Sequence, residues 1–367
     1  MVFSHLKVLW RKLFLMIMNS KFKKKLIGRI TDEIIQGQRT AENQRPNLTV
    51  INQRILFSSD TLRSNIKALG DEYARSLQKS LKIPDNLSLT TVGLVSKACQ
   101  QQDIESEWLA YWSQQMGITV AYQRKLWEHC YILQVMYEYN LLKPRLKGIG
   151  FGCGEEPLPS LLVSYDIEIT VTDLNPEESS AKGWIDTNQN ASSKEKIWRS
   201  KLCMQELFEK NVSLRYVDMN NIPTDLDGKY DFCWSSCALE HLGSIENGLH
   251  FIENSLNTLL AGGVSIHTTE FNYLEEEETI DNWRTVLFRK KDFTKLFQKL
   301  TAQGHQVAPL DFDIGTGFLD KFIDIPPYTE ELHAHLKLLL DGFTTTSFGI
   351  VIRKSSCPNL KPNLLVH

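Results

Sequence analysis

Three glycines alternate in the centre of the stretch GIGFGCGEEPLP, at Gly150, Gly152 and Gly154. Glycine lets the backbone come close to a ligand that any β-carbon would keep away. A short apolar run precedes the turn and a helical pattern follows it, which is the arrangement that opens a nucleotide-binding α/β unit. We therefore expect the turn to lie against a bound small molecule.

The spacing of the turn discriminates between candidate ligands. Dinucleotide enzymes use the pattern G-x-G-x-x-G, but when the pattern is counted from Gly150 its third glycine position holds Glu155. An acid there would point at the pyrophosphate, which disfavours NAD. The phosphate-binding pattern that ends in Gly-Lys-Ser/Thr does not follow either. A ligand without phosphates fits better, and we interpret the turn as a site for S-adenosylmethionine (SAM), a nucleoside that carries an amino acid.

Acids at the ends of two later strands support the same ligand. Asp173 ends the second predicted strand, where a carboxylate can accept hydrogen bonds from both ribose hydroxyls. Asp218 and Met219 follow the third strand, where a carboxylate and an apolar side chain could bind the adenine. Ser235, at the end of the fourth strand, completes the predicted cofactor-binding set.

A parallel sheet covered by helices would bring these residues together. Short apolar runs predict strands at 147–151, 167–172, 213–217, 230–235, 263–269, 305–311 and 346–353. The periodicity from Ile245 to Leu259 predicts a helix that closes at Gly262 and Gly263. Residues 31–95 are polar and weakly periodic, and they predict a mixture of helix and loop.

The chain resembles the class I SAM-dependent methyltransferases of the methyltransferase-11 type. GIGFGCG resembles the first motif of that family and VTDLNP its second-strand acid, while YDFCWSSCALEHL and LLAGGVSIHTTEFN resemble its fourth- and fifth-strand stretches. The resemblance covers about residues 145–355 and points more narrowly to a bacterial group. It implies an α/β fold with a Rossmann-like, seven-stranded, mostly parallel sheet and an N-terminal helical extension.

One position departs from the family pattern. The family usually carries an acid two residues before the first glycine of the turn, and this acid helps to hold the methionine amino group. Here that position is Gly148. The contact must then come from Glu155, from Glu156 or from the N-terminal helices.

Methyl transfer to a hydroxyl is an in-line displacement that needs a base for the hydroxyl proton. Glu240 and His241 follow the fourth strand, and Glu270 follows the fifth. His241 is the leading candidate because histidine ordinarily titrates near neutral pH, and Glu270 is a second candidate as base or substrate ligand. The alternative is that Glu240 and His241 are structural. His267, within the fifth strand, is expected to be a core histidine.

A metal ion is the weaker interpretation of the same loop. Some O-methyltransferases bind a divalent ion through Glu-x-x-Glu-His, but here Cys237 replaces the first glutamate. Thiolate, carboxylate and imidazole can bind zinc, whereas sulfur would spoil a magnesium site. We expect no metal, and Cys237 is interpreted as a small packing residue.

Charge and composition bound the partners and the location. The chain of 367 residues carries 41 basic and 44 acidic residues, so nothing in its net charge of −3 points to nucleic acid. Residues 1–30 contain eight Lys or Arg and no acid, and this basic amphipathic segment could contact an anionic membrane surface. The 7 cysteines form no C-x-x-C pair, which favours a cytoplasmic protein.

These observations divide the chain into a basic segment (1–30), a mostly helical extension or cap (31–144), a methyltransferase domain (145–355) and a C-terminal tail (356–367). No Asn/Asp-Pro-Pro-aromatic motif follows the fourth strand, so O-methylation of a small-molecule or glycan acceptor is the favoured function. The alternative is a non-catalytic SAM-binding scaffold or regulatory protein of a biosynthetic complex.

Overall fold

The computed structural model describes residues 48–177, 189–328 and 334–356, together with residues 25, 28, 29 and 32. The chain forms two compact units, Met1–Asn65 and Ile66–His367. The predicted basic segment and C-terminal tail lie almost wholly outside the described residues, so the membrane contact stays a prediction. None of the described helices combines the length and the apolar character that a membrane-spanning helix requires.

The fully described helices are mostly short, apart from the one at Leu48–Ser80. Because residues 31–95 predicted only mixed helix and loop, this 33-residue helix is the largest described element that the sequence did not show. The α-helices are α1 (Leu48–Ser80), α2 (Gln101–Ile104), α3 (Glu107–Gln115), α4 (Arg124–Glu138), α5 (Leu158–Val163), α6 (Lys194–Ile197), α7 (Gln205–Asn211), α8 (Ile245–Ser255), α9 (Lys290–Ala302) and α10 (Phe318–Lys321).

Most strands follow the predicted apolar runs, but two short ones, at 96–97 and 338–340, were not predicted. The strands are β1 (Ser96–Lys97), β2 (Lys147–Phe151), β3 (Glu168–Asp173), β4 (Val212–Tyr216), β5 (Tyr230–Ser236), β6 (Leu259–Asn272), β7 (Gln306–Val307), β8 (Leu310–Asp311), β9 (Leu338–Leu340) and β10 (Phe343–Arg353).

The main sheet is mostly parallel, as predicted. Its strand order is β4-β3-β2-β5-β6-β10-β7, and β9 pairs with β10 as an eighth strand beside this path of seven. Strands β2 to β6 run parallel to one another, while β10 runs antiparallel to β6. Strand β3 lies on one side of β2, and β5, which comes later in the chain, lies on the other side. At such a reversal of strand order a crevice opens at the carboxyl ends of the strands.

Two predicted boundaries were wrong. The helix expected to run to Gly263 ends at Ser255, and a 3₁₀ turn over Leu256–Thr258 leads directly into β6. The predicted strand 305–311 is divided into β7 and β8, and β8 pairs with β1 in a separate two-stranded sheet. Apolar periodicity located both segments but could not say which partner would pair with them.

Helix α4 packs directly on the sheet and shares its core. Trp127 and Tyr131 stack with ring centroids 4.8 Å apart and are fully buried. The Tyr131 ring lies against Gly349 of β10, where a β-carbon would stand 2.3 Å from it. The structure accordingly groups residues 66–144 with the sheet, whereas the sequence placed a domain boundary at 144/145.

Candidate functional site

A cavity of about 580 Å³ opens at the carboxyl ends of the parallel strands. It is bounded by α4, by the turn after β2, by the ends of β3 and β4, and by the loop after β5. Its lining residues are Lys125, His129, Gly152, Cys153, Gly154, Glu155, Glu156, Asp173, Leu174, Gln189, Val217, Asp218, Met219, Asn220, Ser236, Cys237, Ala238, His241 and Leu242.

The cavity unites most of the predicted site. Two of the three glycines, the acid that ends β3, the pair after β4 and the candidate base all line it: Gly152, Gly154, Asp173, Asp218, Met219 and His241. Four predicted residues are not among its lining: Gly150, Ser235, Glu240 and Glu270. The sequence therefore identified the cavity, and the structure separates the residues that line it from those behind it.

The glycine turn is tightly packed. Gly152 and Gly154 have φ angles of +58° and +53°, a region that favours glycine. A β-carbon on Gly152 would lie 2.8 Å from Ala238, and one on Gly154 would lie 2.8 Å from the carbonyl oxygen of Gln189. Gly150 has a different role, since a β-carbon there would lie 2.4 Å from the indole of Trp234.

Asp173 ties the turn to a segment further along the chain. Its Oδ2 accepts hydrogen bonds from the backbone N–H groups of Gly154 and Ala191, each at 2.9 Å. Its Oδ1 accepts from the Leu174 N–H at 2.8 Å and from the Asn190 side chain at 3.1 Å. Burial raises the pKa of Asp173 against the effect of these donors. A carboxylate offers about four lone-pair positions, so a ribose hydroxyl would have to share or replace one of these donors.

The end of β4 contributes a polar and an apolar side chain. Asp218 is exposed, and its Oδ1 accepts a hydrogen bond from the Asn220 N–H at 2.9 Å. Met219 is buried, and its Sδ would lie 3.2 Å from a β-carbon on Gly152. These two residues therefore stand next to the glycine turn, at the positions that the sequence predicted.

Helix α4 lines the cavity with two residues that the sequence did not identify, opposite the end of the glycine turn. Lys125 and His129, one helical turn apart on α4, both line it. Glu156 faces them, with its Oε2 3.8 Å from the His129 Nε2. Sequence spacing alone could have placed Lys125 and His129 on one helix face, but not that face against the turn after β2.

The loop after β5 carries His241 at the cavity wall. Its Nδ1 lies 3.0 Å from the carbonyl oxygen of Arg284. Because a carbonyl only accepts hydrogen bonds, Nδ1 carries the proton of this contact. The other ring nitrogen, Nε2, lies 4.0 Å from the Glu240 carboxylate. The Cys237 backbone just before it adopts a φ of +48°, which is strained for a residue with a β-carbon.

Ser235 lies one residue away from the lining. Its hydroxyl is fully buried and lies 2.8 Å from the Nδ1 of His267, and the next residue, Ser236, lines the cavity instead. Alternate side chains of a strand point to opposite faces, which explains the shift by one. His267 also lies 2.6 Å from the Ser265 hydroxyl, so the prediction of a core histidine is confirmed.

Glu240 and Glu270 are buried behind the cavity wall, with 1% and 3% of their surface exposed. Glu240 accepts a hydrogen bond from Thr269 at 2.9 Å, and Glu270 forms an ion pair with Arg124. Sequence order placed these acids near the strand ends correctly, but it could not show that Arg124, from α4, would neutralise one of them.

The same buried region contains a set of possible metal ligands. Among the described residues, Cys237, Glu240 and Glu270 each offer one ligand atom, and these atoms lie within 4.8 Å of one another. However, the Cys237 thiol donates to Glu128 at 3.0 Å, and burial raises the pKa of that thiol. Because metal binding needs the thiolate and Arg124 already pairs with Glu270, this charge balance suits a buried ionic network better than a cation.

Comparison with known proteins finds similarity in solved structures only: no family model matches the chain, and no curated protein matches its sequence. The [4+2]-cyclase SpnF is 16% identical over 62% of this chain and 81% of its own, with a TM-score of 0.41. The methyltransferase domain of bacterial CtHen1 is 19% identical over 66% of this chain and 98% of its own, with a TM-score of 0.37. A SAM-dependent methyltransferase from Aquifex aeolicus is 14% identical over 60% and 88%, with a TM-score of 0.33. We therefore base the function on the geometry of the cavity.

Proposed function

We propose that the chain is a SAM-dependent methyltransferase and that the 580 Å³ cavity binds SAM. The proposal rests on one observation: the same cavity is lined by the glycine turn, the acid of β3, the pair after β4 and His241. These residue types suit a nucleoside with an amino-acid tail, because the acids can accept hydrogen bonds from hydroxyls and an amine while Met219 offers an apolar surface.

The lining residues fit the two halves of such a ligand. Asp173, Asp218 and Met219 lie at the ends of β3 and β4 and would bind the nucleoside. The turn at Gly152 and Gly154 has no β-carbon that would keep a ligand from its backbone. On the other side, Glu156 offers a negative charge to an amino-acid tail, whereas Lys125, which also lines the cavity, is already paired with Glu128.

The bound cofactor would supply an activated methyl group, and the protein must supply a base and a position for the acceptor. His241 is the candidate base because it lines the cavity and the Arg284 carbonyl fixes its basic nitrogen as Nε2. A hydroxyl acceptor in the cavity would give its proton to that nitrogen. We therefore propose O-methylation of a small-molecule or glycan acceptor.

A second candidate function is a SAM-binding scaffold without turnover. It is favoured by the burial of Glu240 and Glu270, which leaves His241 as the one predicted base at the cavity. A protein that binds the cofactor for regulation needs the glycine turn and Asp173 but not a base.

Turnover separates these two functions. The full chain is incubated with methyl-labelled SAM and fractionated cell extract, and transferred label is measured beside S-adenosylhomocysteine. A methyltransferase forms a labelled product and S-adenosylhomocysteine in equal amounts, and His241→Ala loses both. Calorimetric binding of SAM without product from any fraction would favour the scaffold, and no binding of SAM would overturn both proposals.

A further inference from the structure

We propose that Glu156 binds the α-ammonium group of the cofactor's amino-acid tail, and this inference rests on the SAM site proposed above. The ligand class is an α-amino acid attached to a nucleoside. The residue replaces the acid that the chain lacks at Gly148, from a different position in the fold.

An acid cannot occupy position 148 in this structure. A β-carbon on Gly148 would lie 2.4 Å from two ring atoms of Phe232 and 3.1 Å from Ile169. Phe232 is fully buried on β5, so the ring could not move aside without opening the core. The space that an aspartate or glutamate would need is therefore already filled by an aromatic side chain.

The next aromatic residue on β5 supports Glu156. Trp234 packs against Gly150 and donates its indole N–H to the Glu156 Oε1 at 2.6 Å. A buried indole usually finds such an acceptor, and here the acceptor is a cavity-lining carboxyl with 8% of its surface exposed. Phe232 thus excludes an acid at 148, while Trp234 holds another one at the cavity wall.

Glu156 has no lysine or arginine within ion-pair distance among the described residues, although Lys125 acts on its charge from further away. In the described part of the chain, the basic side chain within ion-pair distance of it is His129, at 3.8 Å. Burial, reinforced by Lys125, lowers the pKa of His129 to about 4, so this imidazole is neutral near pH 7. Burial also raises the pKa of Glu156 to about 7, against the hydrogen bonds from Trp234 and Cys153 and the charge of Lys125. A ligand ammonium would add a directly paired positive charge.

Glu155 lines the same cavity but already has a cation. Its carboxylate lies 3.7 Å from the Nζ of Lys196, and its side chain is 26% exposed. Its backbone carbonyl accepts a hydrogen bond from Arg199. Glu155 and Glu156 are adjacent acids, but only Glu155 has a lysine within ion-pair distance. Glu155→Gln is therefore the matched control.

The test compares two ligands in three proteins by calorimetry: wild type, Glu156→Gln and Glu155→Gln. S-adenosylhomocysteine carries the amino acid, whereas 5′-methylthioadenosine keeps the nucleoside and the sulfur without it. A hydrogen bond to a charged group contributes about 1.5–3 kcal/mol. We therefore expect Glu156→Gln to weaken S-adenosylhomocysteine binding by roughly 10- to 100-fold and methylthioadenosine binding by less than about threefold. Glu155→Gln should leave both affinities within about threefold.

Each other outcome overturns the assignment. Unchanged S-adenosylhomocysteine affinity in Glu156→Gln would show that the ammonium is held elsewhere and would leave the proposed function intact. Equal losses for the two ligands would show a structural role for Glu156. If wild type bound neither ligand, the proposed function would fail and this inference with it.

The pH dependence of the wild type tests the same assignment without a variant. Lys125 and His129 from α4, Cys153 from the turn and Asp173 from β3 are the other titratable groups near Glu156. Because the carboxylate form binds the ammonium, S-adenosylhomocysteine affinity should rise from about pH 5.5 to 7.5 and then level off, while methylthioadenosine affinity stays flat. A constant ratio of the two affinities over this range would contradict the proposal.

Discussion

Two groups of buried glutamates lie on either side of the loop after β5, and they differ in how their charge is balanced. Glu128 and Glu270, behind the loop, pair with Arg124, and Glu128 also pairs with Lys125 at 2.6 Å. Glu156, at the cavity wall, is hydrogen-bonded by the Trp234 indole and lies near a neutral imidazole, while Lys125 acts on it only from beyond ion-pair distance. Burial of a charge is costly unless it is paired. The first group therefore holds α4 to the sheet, while the second acid is left available for a cationic ligand.

Removal of Arg124 should have the largest effect, because it would leave Glu270 and Glu128 without their shared cation. We expect Arg124→Met to lower the free energy of unfolding by about 3–5 kcal/mol in urea denaturation. Arg215→Met is the matched control: its pair with Asp225 is exposed to solvent, so the loss of stability should be far smaller. Similar losses in the two variants would contradict the structural role of the Arg124 network.

Titration of the two acids should change stability in opposite directions. Burial alone would raise the pKa of Glu128, but Lys125 and Arg124 bring it down to about 2. The contribution of Glu128 to stability is therefore present above pH 4.5 and is lost as the pH falls. The pKa of Glu156 is raised to about 7, so its contribution is present below pH 4.5 and is lost as the pH rises through 7. Each shift is worth about 3 kcal/mol.

This difference is measured as the free energy of unfolding against pH for the wild type, Glu128→Gln and Glu156→Gln. Glu156→Gln should remove the loss of stability between about pH 4.5 and 7.5, and Glu128→Gln should remove the loss below about pH 4.5. If both variants changed the pH dependence of the unfolding free energy in the same direction, the charges of the two acids would be balanced in the same way.

His241 and Glu240, adjacent on the loop after β5, should differ in their effect on turnover. His241 lines the cavity and Glu240 does not, so His241→Ala should lower turnover by about 100-fold while SAM affinity stays within about threefold. Glu240→Gln should keep turnover within about threefold and lower stability instead. Steady-state rates and calorimetry on both variants check this, and unchanged turnover in His241→Ala would make the histidine structural.

The sequence predicted the sheet and the glycine turn well because their signals are local. Apolar runs located β2 to β6, and the cofactor candidates follow those strands directly. Glu240 was placed after β5 correctly, whereas Glu270 lies within β6 and not after it. The burial of Glu270 depends on Arg124, which lies more than 100 residues earlier in the chain. Lys125 and His129 were missed for the same reason, since the packing of α4 against the turn is a tertiary contact.

The sequence did not predict the long helix α1 for a different reason. Its apolar residues do not form a simple buried stripe, and several of them are exposed, including Leu56, Phe57 and Leu62. Apolar periodicity detects a helix by its buried face, so a helix without a clear one gives little signal. The sequence accordingly predicted only mixed helix and loop there.

If the cavity binds SAM and not a dinucleotide, parallel calorimetric titrations with S-adenosylhomocysteine and NADH will distinguish the two ligands. We expect the wild type to bind one S-adenosylhomocysteine per chain and no NADH. Asp173→Ala should lose at least about 100-fold in affinity, because the turn and residues 190–191 lose their shared acceptor. Binding of NADH without S-adenosylhomocysteine, or unchanged affinity in Asp173→Ala, would contradict the account.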